Sequence, residues 1–439
     1  MPTTVINVYD TDSKEYKKAK RKHLKSTRGR GDQVESDWTP FRAAEKKFKA
    51  KFPPPDLSGV LDLALLDSSR ADEVTLGGWK GSLDAVEYRE VELLSDDKKG
   101  KGRAYVFPQV PGLVILPSFI LPEQQRDLVR WSLKDHARNP NETNLDTHYI
   151  LPEEGLWNTY LRAQDDQEDV QDIQPRASTS SIVPPLLSGP RQLISNEPAS
   201  KENFHKLVST PAAPAPPSPN LRPCPPEFLI PKLRWANIGW YYHWGNKQYD
   251  FTRGKIPVSE KYADICKRAV KAVPWDQVFN AHDGDIGDWK DEPRWDTWAE
   301  SYEPDAGIVN FYQTKDTLMA HVDRSEICAT SPLVSISLGC AAVFLIGGAT
   351  RDVAPVPILL RSGDIAIMSG PGCRRAYHGV PRILENTLPL HTFANDAEID
   401  DALHWPVYER YLKNTRININ VRQVFPKGFD PRLPSPSDP

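Results

Sequence analysis

Between Ala306 and Val424 the chain carries six short apolar runs: GIVNFY, LVSISLG, AAVFLIGG, VPILLRSGD, IAIMSG and RININVRQV. Glycine, proline or charged residues separate them. Runs of this length, rich in Val, Ile and aromatic residues, read as strands. A lone strand or hairpin is at best marginal in water, so the runs must pair into sheets that pack on one another. The expectation is a mainly β fold with flanking helices, built as a sandwich or jelly roll. Upstream, GLVILPSFI adds a strand. LPEQQRDLVRWSLKDH reads as a helix, with Leu121, Leu128, Trp131 and Leu133 near helical period and Pro122 in the first turn. SEKYADICKRAVKAV at 259–273 reads as another, capped by Ser259.

Length allows one large domain with appendages, or two domains, in 439 residues. With 41 prolines and 39% hydrophobic residues, the composition implies a core plus unstructured segments. Residues 1–105 are expected to be a basic, largely disordered extension. Within it, KEYKKAKRKHLKSTRGR at 14–30 holds nine Lys or Arg in seventeen positions. Extended beside a polyanion, this arm would touch several phosphates; a solvated tail without a partner explains the composition equally well. The ordered domain is expected to start within 106–163. A flexible insertion follows at 164–226, with an acidic cluster (Asp165, Asp166, Glu168, Asp169, Asp172) and then thirteen prolines over 175–226. The rest of the domain spans 227–425, and 426–439 is a Pro-rich tail.

The net charge of −4 announces no polyanion partner by itself. Five cysteines without a C-x-x-C pair fit a reducing compartment. There is no 18-residue apolar run and no secretory signal in the first residues, so an intracellular monomer is expected, away from membranes.

His321 and Asp323 stand two residues apart in LMAHVDRSE. On a strand, positions i and i+2 share a face. Two ligands do not hold a metal selectively, but two His and one carboxylate form the facial triad of non-haem Fe(II) oxygenases. Downstream, His378, His391 and His404 are the candidates for the third. His378 follows the strand IAIMSG and a Gly-rich turn, which favours it. His391 is loop-like and His404 abuts Trp405-Pro406. Taken alone, H-x-D also suits a surface hairpin.

Arg416, Asn418, Asn420 and Arg422 alternate with Ile417, Ile419 and Val421. Arginines on an inward face are costly unless they meet anions. Their forked donors suit carboxylates, and a dicarboxylate cosubstrate would suit two of them. An edge strand with a polar outer face would alternate in the same way. Asn310 and Tyr312 share one face and add neutral donors.

Taken in order, NFY, HVDRSE, LLRSGDIAIMSG, YHGVPR and RININVR resemble the AlkB family of Fe(II)/2-oxoglutarate dioxygenases, most of all the subclass of the first mammalian AlkB homologue. The resemblance covers 227–425, with PGLVILPSFILPEQQ and LPEEGLW upstream. It implies a double-stranded β-helix with a nucleotide-recognition lid. It makes His321, Asp323 and His378 the iron ligands. Arg416 with Tyr312 and Asn418 would hold the distal carboxylate of 2-oxoglutarate, and Arg422 with Asn310 would lie near its C1 carboxylate and the iron. The implied cofactors are Fe(2+), 2-oxoglutarate and O2. The implied reaction is oxidation of N-methyl groups on nucleobases, tRNA or other RNA before DNA, with loss of formaldehyde.

A target base must leave its stack to be reached. NIGWYYHWGNKQYDF lies where the family keeps its lid, and Trp240 and Tyr249 are the expected base contacts. Ser325 stands where the bacterial founding enzyme has an acid, and Glu326 follows it; both are candidates for substrate choice. The long stretch from His378 to Arg416 implies an inserted loop and helix. Two other readings remain: a nucleic-acid-binding protein of weak or regulatory activity, and a protein hydroxylase or demethylase. Nucleus, cytoplasm and mitochondrion are all admissible compartments.

Overall fold

The computed structural model describes residues 9–27, 38–94, 102–164, 170–177, 198–208, 217–244, 247–279, 289, 294–392, 403–426, 429 and 431. Thirteen strands are formed among them: β1 (Arg89–Glu92), β2 (Arg103–Val106), β3 (Leu113–Leu116), β4 (Trp235–His243), β5 (Gln248–Lys255), β6 (Ala306–Gln313), β7 (Leu318–His321), β8 (Leu333–Gly339), β9 (Ala342–Ile346), β10 (Val356–Leu360), β11 (Ile365–Met368), β12 (His378–Ile383) and β13 (Thr415–Arg422). The larger sheet has the order β1-β2-β3-β11-β8-β13-β6-β4-β5, the smaller β10-β9-β12-β7. Neighbouring strands run antiparallel, as in the jelly roll that the short runs imply.

Alternation along the strands sorts side chains into layers. Ile115, Leu333, Phe344, Ile358 and Ala366 fill the space between the sheets. Val309, Phe311, Ile336, Ile417 and Ile419 face outward and pack with Leu128, Trp157, Ile265 and Tyr408. Those four come from the helices Pro122–Arg130, Leu156–Arg162, Glu260–Ala272 and Trp405–Leu412. The polar half of β13 is thereby turned inward, between the sheets.

The segment 38–94 is folded against the domain, which corrects the expected disordered extension over 1–105. Phe41, Phe48, Leu57, Val60 and Trp79 cover the outer face of the smaller sheet, against Ala320, Val343, Leu345 and Leu359. Leu61 exchanges backbone hydrogen bonds with Pro357 and Leu359, and buried Asp62 receives the Arg361 guanidinium at 3.1 and 2.7 Å. Average composition hid this because the apolar residues are few and widely spaced. Phe41 and Phe48 lie one heptad apart on the helix Pro40–Lys49. The basic tract, read as an extended arm, is helical over Lys14–Thr27. Its Tyr16 and His23 rings lie 5.1 and 5.4 Å from Phe52.

Parts of the expected insertion at 164–226 also join the domain. Ile173 bridges Cys224, and Phe204 is buried beside Phe251 and Phe425. Residues 165–169, 178–197 and 209–216 lie outside the described residues, as does most of the tail from 427 onward.

β4 changes partner half-way. Its first half pairs with β6 and its second with β5. Gly239 sits at the change, at φ 68°. A Cβ there would meet Asp305 O at 2.0 Å, so only glycine lets the hairpin leave the sheet at this point. Asp305 itself is buried, and burial pushes its carboxyl up to about 7 despite a hydrogen bond from the Val424 N–H and the charge of Lys255. A carboxyl with a raised folded pKa stabilises fully below the unfolded value of about 3.9 and loses that contribution as pH rises toward 7. The stability of the parent relative to Asp305→Asn should therefore fall between about pH 4 and 7 and level off above it. Denaturant midpoints at each pH read this directly; a pH-independent difference would show that Asp305 ionises normally.

Candidate metal and cosubstrate site

β7 lies at the edge of the smaller sheet beside β12, and their pairing sets His321 directly opposite His378. The two rings lie 4.4 Å apart. His321 Nδ1 is 3.0 Å from Met319 O, and His378 Nδ1 is 3.0 Å from Ala376 O. A carbonyl only accepts, so each Nδ1 carries a proton, and Nε2 is the nitrogen of each ring that faces the ligand point. Asp323 follows β7, with Oδ1 3.6 Å from His321 Nε2. One ligand atom from each residue lies within 4.8 Å of the others, the one such group of three among the described residues. Two imidazoles and a carboxylate on one side of a point are the donor set of a non-haem iron centre with open positions.

The surroundings hold Asp323 and His378 in their binding forms. Burial raises the Asp323 carboxyl, but Arg422, the two imidazoles and Arg374 bring it below the usual carboxylate range. Burial lowers His378 to about 4, with His321 adding to the effect, so its ring is neutral at pH 7.

Arg422 was expected beside a cosubstrate carboxylate with Asn310. The structure ties it to the candidate ligand Asp323 at Oδ2 (3.1 Å), to Glu326 Oε1 at 2.6 Å and to Asn420 Oδ1 at 2.9 Å, and both Arg422 and Asn310 line the cavity that holds the triad. Asn310 opposes Asn418 across β6 and β13, and Asn418 Nδ2 is spent on Ser335 Oγ and Ile336 O.

Arg416 differs. It is 2% exposed and donates to Ser337 Oγ at 2.8 Å, while Nε and Nη1 have no partner. Burial pushes its pKa down to about 10. Tyr312 faces it across the strands. A buried guanidinium with two unmet donors fits an anionic ligand, and a dicarboxylate supplies one.

A cavity of about 770 Å³ joins Arg416, the triad, Ser325, Tyr242 and Trp244. The predicted base contacts lie elsewhere. Trp240, at the base of the hairpin, packs on Phe251 and Phe425 at 5.2 and 5.9 Å. Tyr249 is 7% exposed and donates to Glu326 Oε1 at 3.3 Å. Glu326, also proposed for substrate choice, is buried and neutralises Arg422. Tyr242 and Trp244, nearer the tip of the same hairpin, line the cavity instead. Ser325 Oγ donates to Lys247 O at 2.7 Å and so ties the ligand loop to the hairpin.

A model described as the 2OG-Fe(II) oxygenase superfamily matches residues 190–422, more than half of the chain. The chain belongs to the 2OG-Fe(II) oxygenase superfamily. Members of this superfamily use Fe(II) and 2-oxoglutarate, and the triad and the unpaired Arg416 fit both. Three relatives match over most of their length. "Nucleic acid dioxygenase ALKBH1" of Mus musculus is 26% identical over 85% of this chain and 81% of its own. "DNA N(6)-methyladenine demethylase ALKBH1A" of Arabidopsis thaliana is 27% identical over 89% and 97%. "tRNA demethylase abh1" of Schizosaccharomyces pombe is 28% identical over 88% and 96%. No helix among the described residues is long and apolar enough to cross a membrane.

Proposed function

We propose that this chain is an oxidative demethylase of nucleobases in RNA, tRNA first, and that it consumes 2-oxoglutarate and O2 at an iron held by His321, Asp323 and His378. One observation carries the reading: a single cavity holds the triad, an unpaired Arg416 and, on the hairpin above them, Tyr242 and Trp244. The names of the three relatives agree on nucleic acid and divide between DNA and tRNA.

When bound, the iron supplies oxidation of the methyl C–H bond, with 2-oxoglutarate as the co-reductant of O2. The chain does the rest. Arg416, with Tyr312, grips the distal carboxylate of 2-oxoglutarate and so fixes the direction in which it enters. Arg422 keeps Asp323 ionised and Glu326 balances the excess charge of Arg422. The carbonyls of Met319 and Ala376 hold both imidazoles in the ligating tautomer. Tyr242 and Trp244 present faces to an unstacked base and shield it from water.

The test is succinate and formaldehyde release by the full chain with Fe(II), 2-oxoglutarate and methylated tRNA, against the same methylated sequence as single-stranded DNA and as free peptide-borne methyl-lysine. Formaldehyde from DNA or peptide alone would reassign the substrate. Stacking on an aromatic face is worth about 1–3 kcal/mol per base. Tyr242→Ala and Trp244→Ala are accordingly expected to raise KM for methylated RNA about tenfold or more, while succinate release without RNA stays unchanged. An unaltered KM would remove the hairpin from base recognition.

A further inference from the structure

We propose that Glu45, far from the triad in sequence, is a positioning residue for the metal ligand His321. The inference rests on the triad reading and adds a residue outside the family motifs.

β7 is an edge strand, and its inner neighbour is β12. The backbone groups on its open side need partners from elsewhere. At Ala320 both come from side chains. The Ala320 N–H donates to Glu45 Oε1 at 2.6 Å. The Ala320 C=O accepts from Arg351 Nη2 at 3.0 Å. Glu45 is 3% exposed and is held by Arg42 at 3.1 Å from the preceding turn of the helix Pro40–Lys49. Phe41 N donates to Arg351 O at 3.1 Å, and the Arg351 guanidinium lies over the Tyr377 ring at 5.1 Å. Helix, loop and strand are thus knitted at one residue.

The Ala320 N–H and the Met319 C=O belong to one rigid peptide plane. Met319 O is the atom that accepts the proton of His321 Nδ1. Glu45 therefore holds one end of the plane whose other end sets the tautomer and tilt of the imidazole. A carboxylate on the N–H also polarises the amide, so the Met319 oxygen accepts more strongly and His321 Nε2 becomes a better donor to metal. The sequence relay is Glu45, peptide 319–320, His321, metal. A buried glutamate that merely stabilised the fold would not change ligand strength.

The experiment titrates Co(II) alone into the metal-free full chain, follows the visible absorption of the bound ion, and measures hydrogen exchange over 318–321 without metal. Partners that orient a histidine ligand typically contribute 10–100-fold to metal affinity. Glu45→Ala is expected to weaken Co(II) binding 10–100-fold, shift its absorption and speed exchange at the Ala320 amide. Glu45→Gln, which keeps a carbonyl acceptor, should recover most of both. Arg351→Ala, at an exposed position, should weaken Co(II) binding in the same direction by a smaller factor, and stands in if Glu45→Ala does not fold. Parent-like affinity and exchange in Glu45→Ala, or equal losses in the Ala and Gln variants, would overturn the assignment. If the parent itself bound no Co(II), the triad reading would fall with it, while exchange at Ala320 would still report the bond.

Discussion

Asp323→Ala is expected to abolish Fe(II) binding and all succinate release, and to destabilise the metal-free protein as well. Both effects come from one carboxylate with two jobs. Toward the ion, Asp323 is the anionic third of the triad, and its loss should lower affinity by more than the 10–100-fold typical of groups that only orient a ligand. Toward the protein, it receives the Arg422 guanidinium at 3.1 Å in a largely buried setting. Removing one partner of a buried pair usually costs about 3–5 kcal/mol. Here Glu326 at 2.6 Å and Asn420 at 2.9 Å keep hold of Arg422, so a smaller loss of about 1–3 kcal/mol is expected. Anaerobic Fe(II) titration and chemical denaturation separate the two. Full iron binding by Asp323→Ala, or by the double variant with His378→Ala, would show that the triad is not the metal site.

The strands of the jelly roll were legible because each carries its own signal. RININVR alternates strictly, and the structure turns its Ile417, Ile419 and Val421 into the helix-facing core and its Arg416 and Arg422 between the sheets. His321 and Asp323 were singled out by their i, i+2 spacing, but the strand ends at His321, and Asp323 reaches the same point from the loop that follows. His378 was found by its place after a strand and a turn, and pairing does set it opposite His321.

What stayed hidden depends on contacts between distant segments. Nothing local to Glu326 says that it would be spent on Arg422, and nothing local to Glu45 says that it would meet Ala320. The lid shows the limit most clearly. Trp240, Tyr242, Trp244 and Tyr249 are chemically alike in sequence, and even the cross-strand partners Tyr242 and Tyr249 part ways: the first lines the cavity and the second is spent on Glu326. The folded segment 38–94 was missed because its apolar residues are spread among charges; the Phe41–Phe48 spacing was the available signal.

Arg416→Met should divide stability from function in opposite directions. In the ligand-free protein Arg416 is buried with two donors unmet and one bond to Ser337. That guanidinium is a charge without a counter-ion, and its lowered pKa of about 10 expresses the strain. Replacing such a group by an apolar side chain of similar length is often neutral, or stabilising by about 1–4 kcal/mol. The ligand-free variant is thus expected to unfold at equal or higher denaturant than the parent. Its 2-oxoglutarate affinity should collapse, because a buried charge-assisted contact removed from one side costs about 2–5 kcal/mol, or roughly 30- to several-thousand-fold. Metal affinity should change little, since Arg416 contacts neither histidine nor Asp323. 2-Oxoglutarate should correspondingly stabilise the parent and not the variant. Denaturation with and without 2-oxoglutarate, beside a metal titration, reads all three. A variant that is less stable when ligand-free would mean that the guanidinium serves the fold, and that the carboxylate of the cosubstrate is held elsewhere.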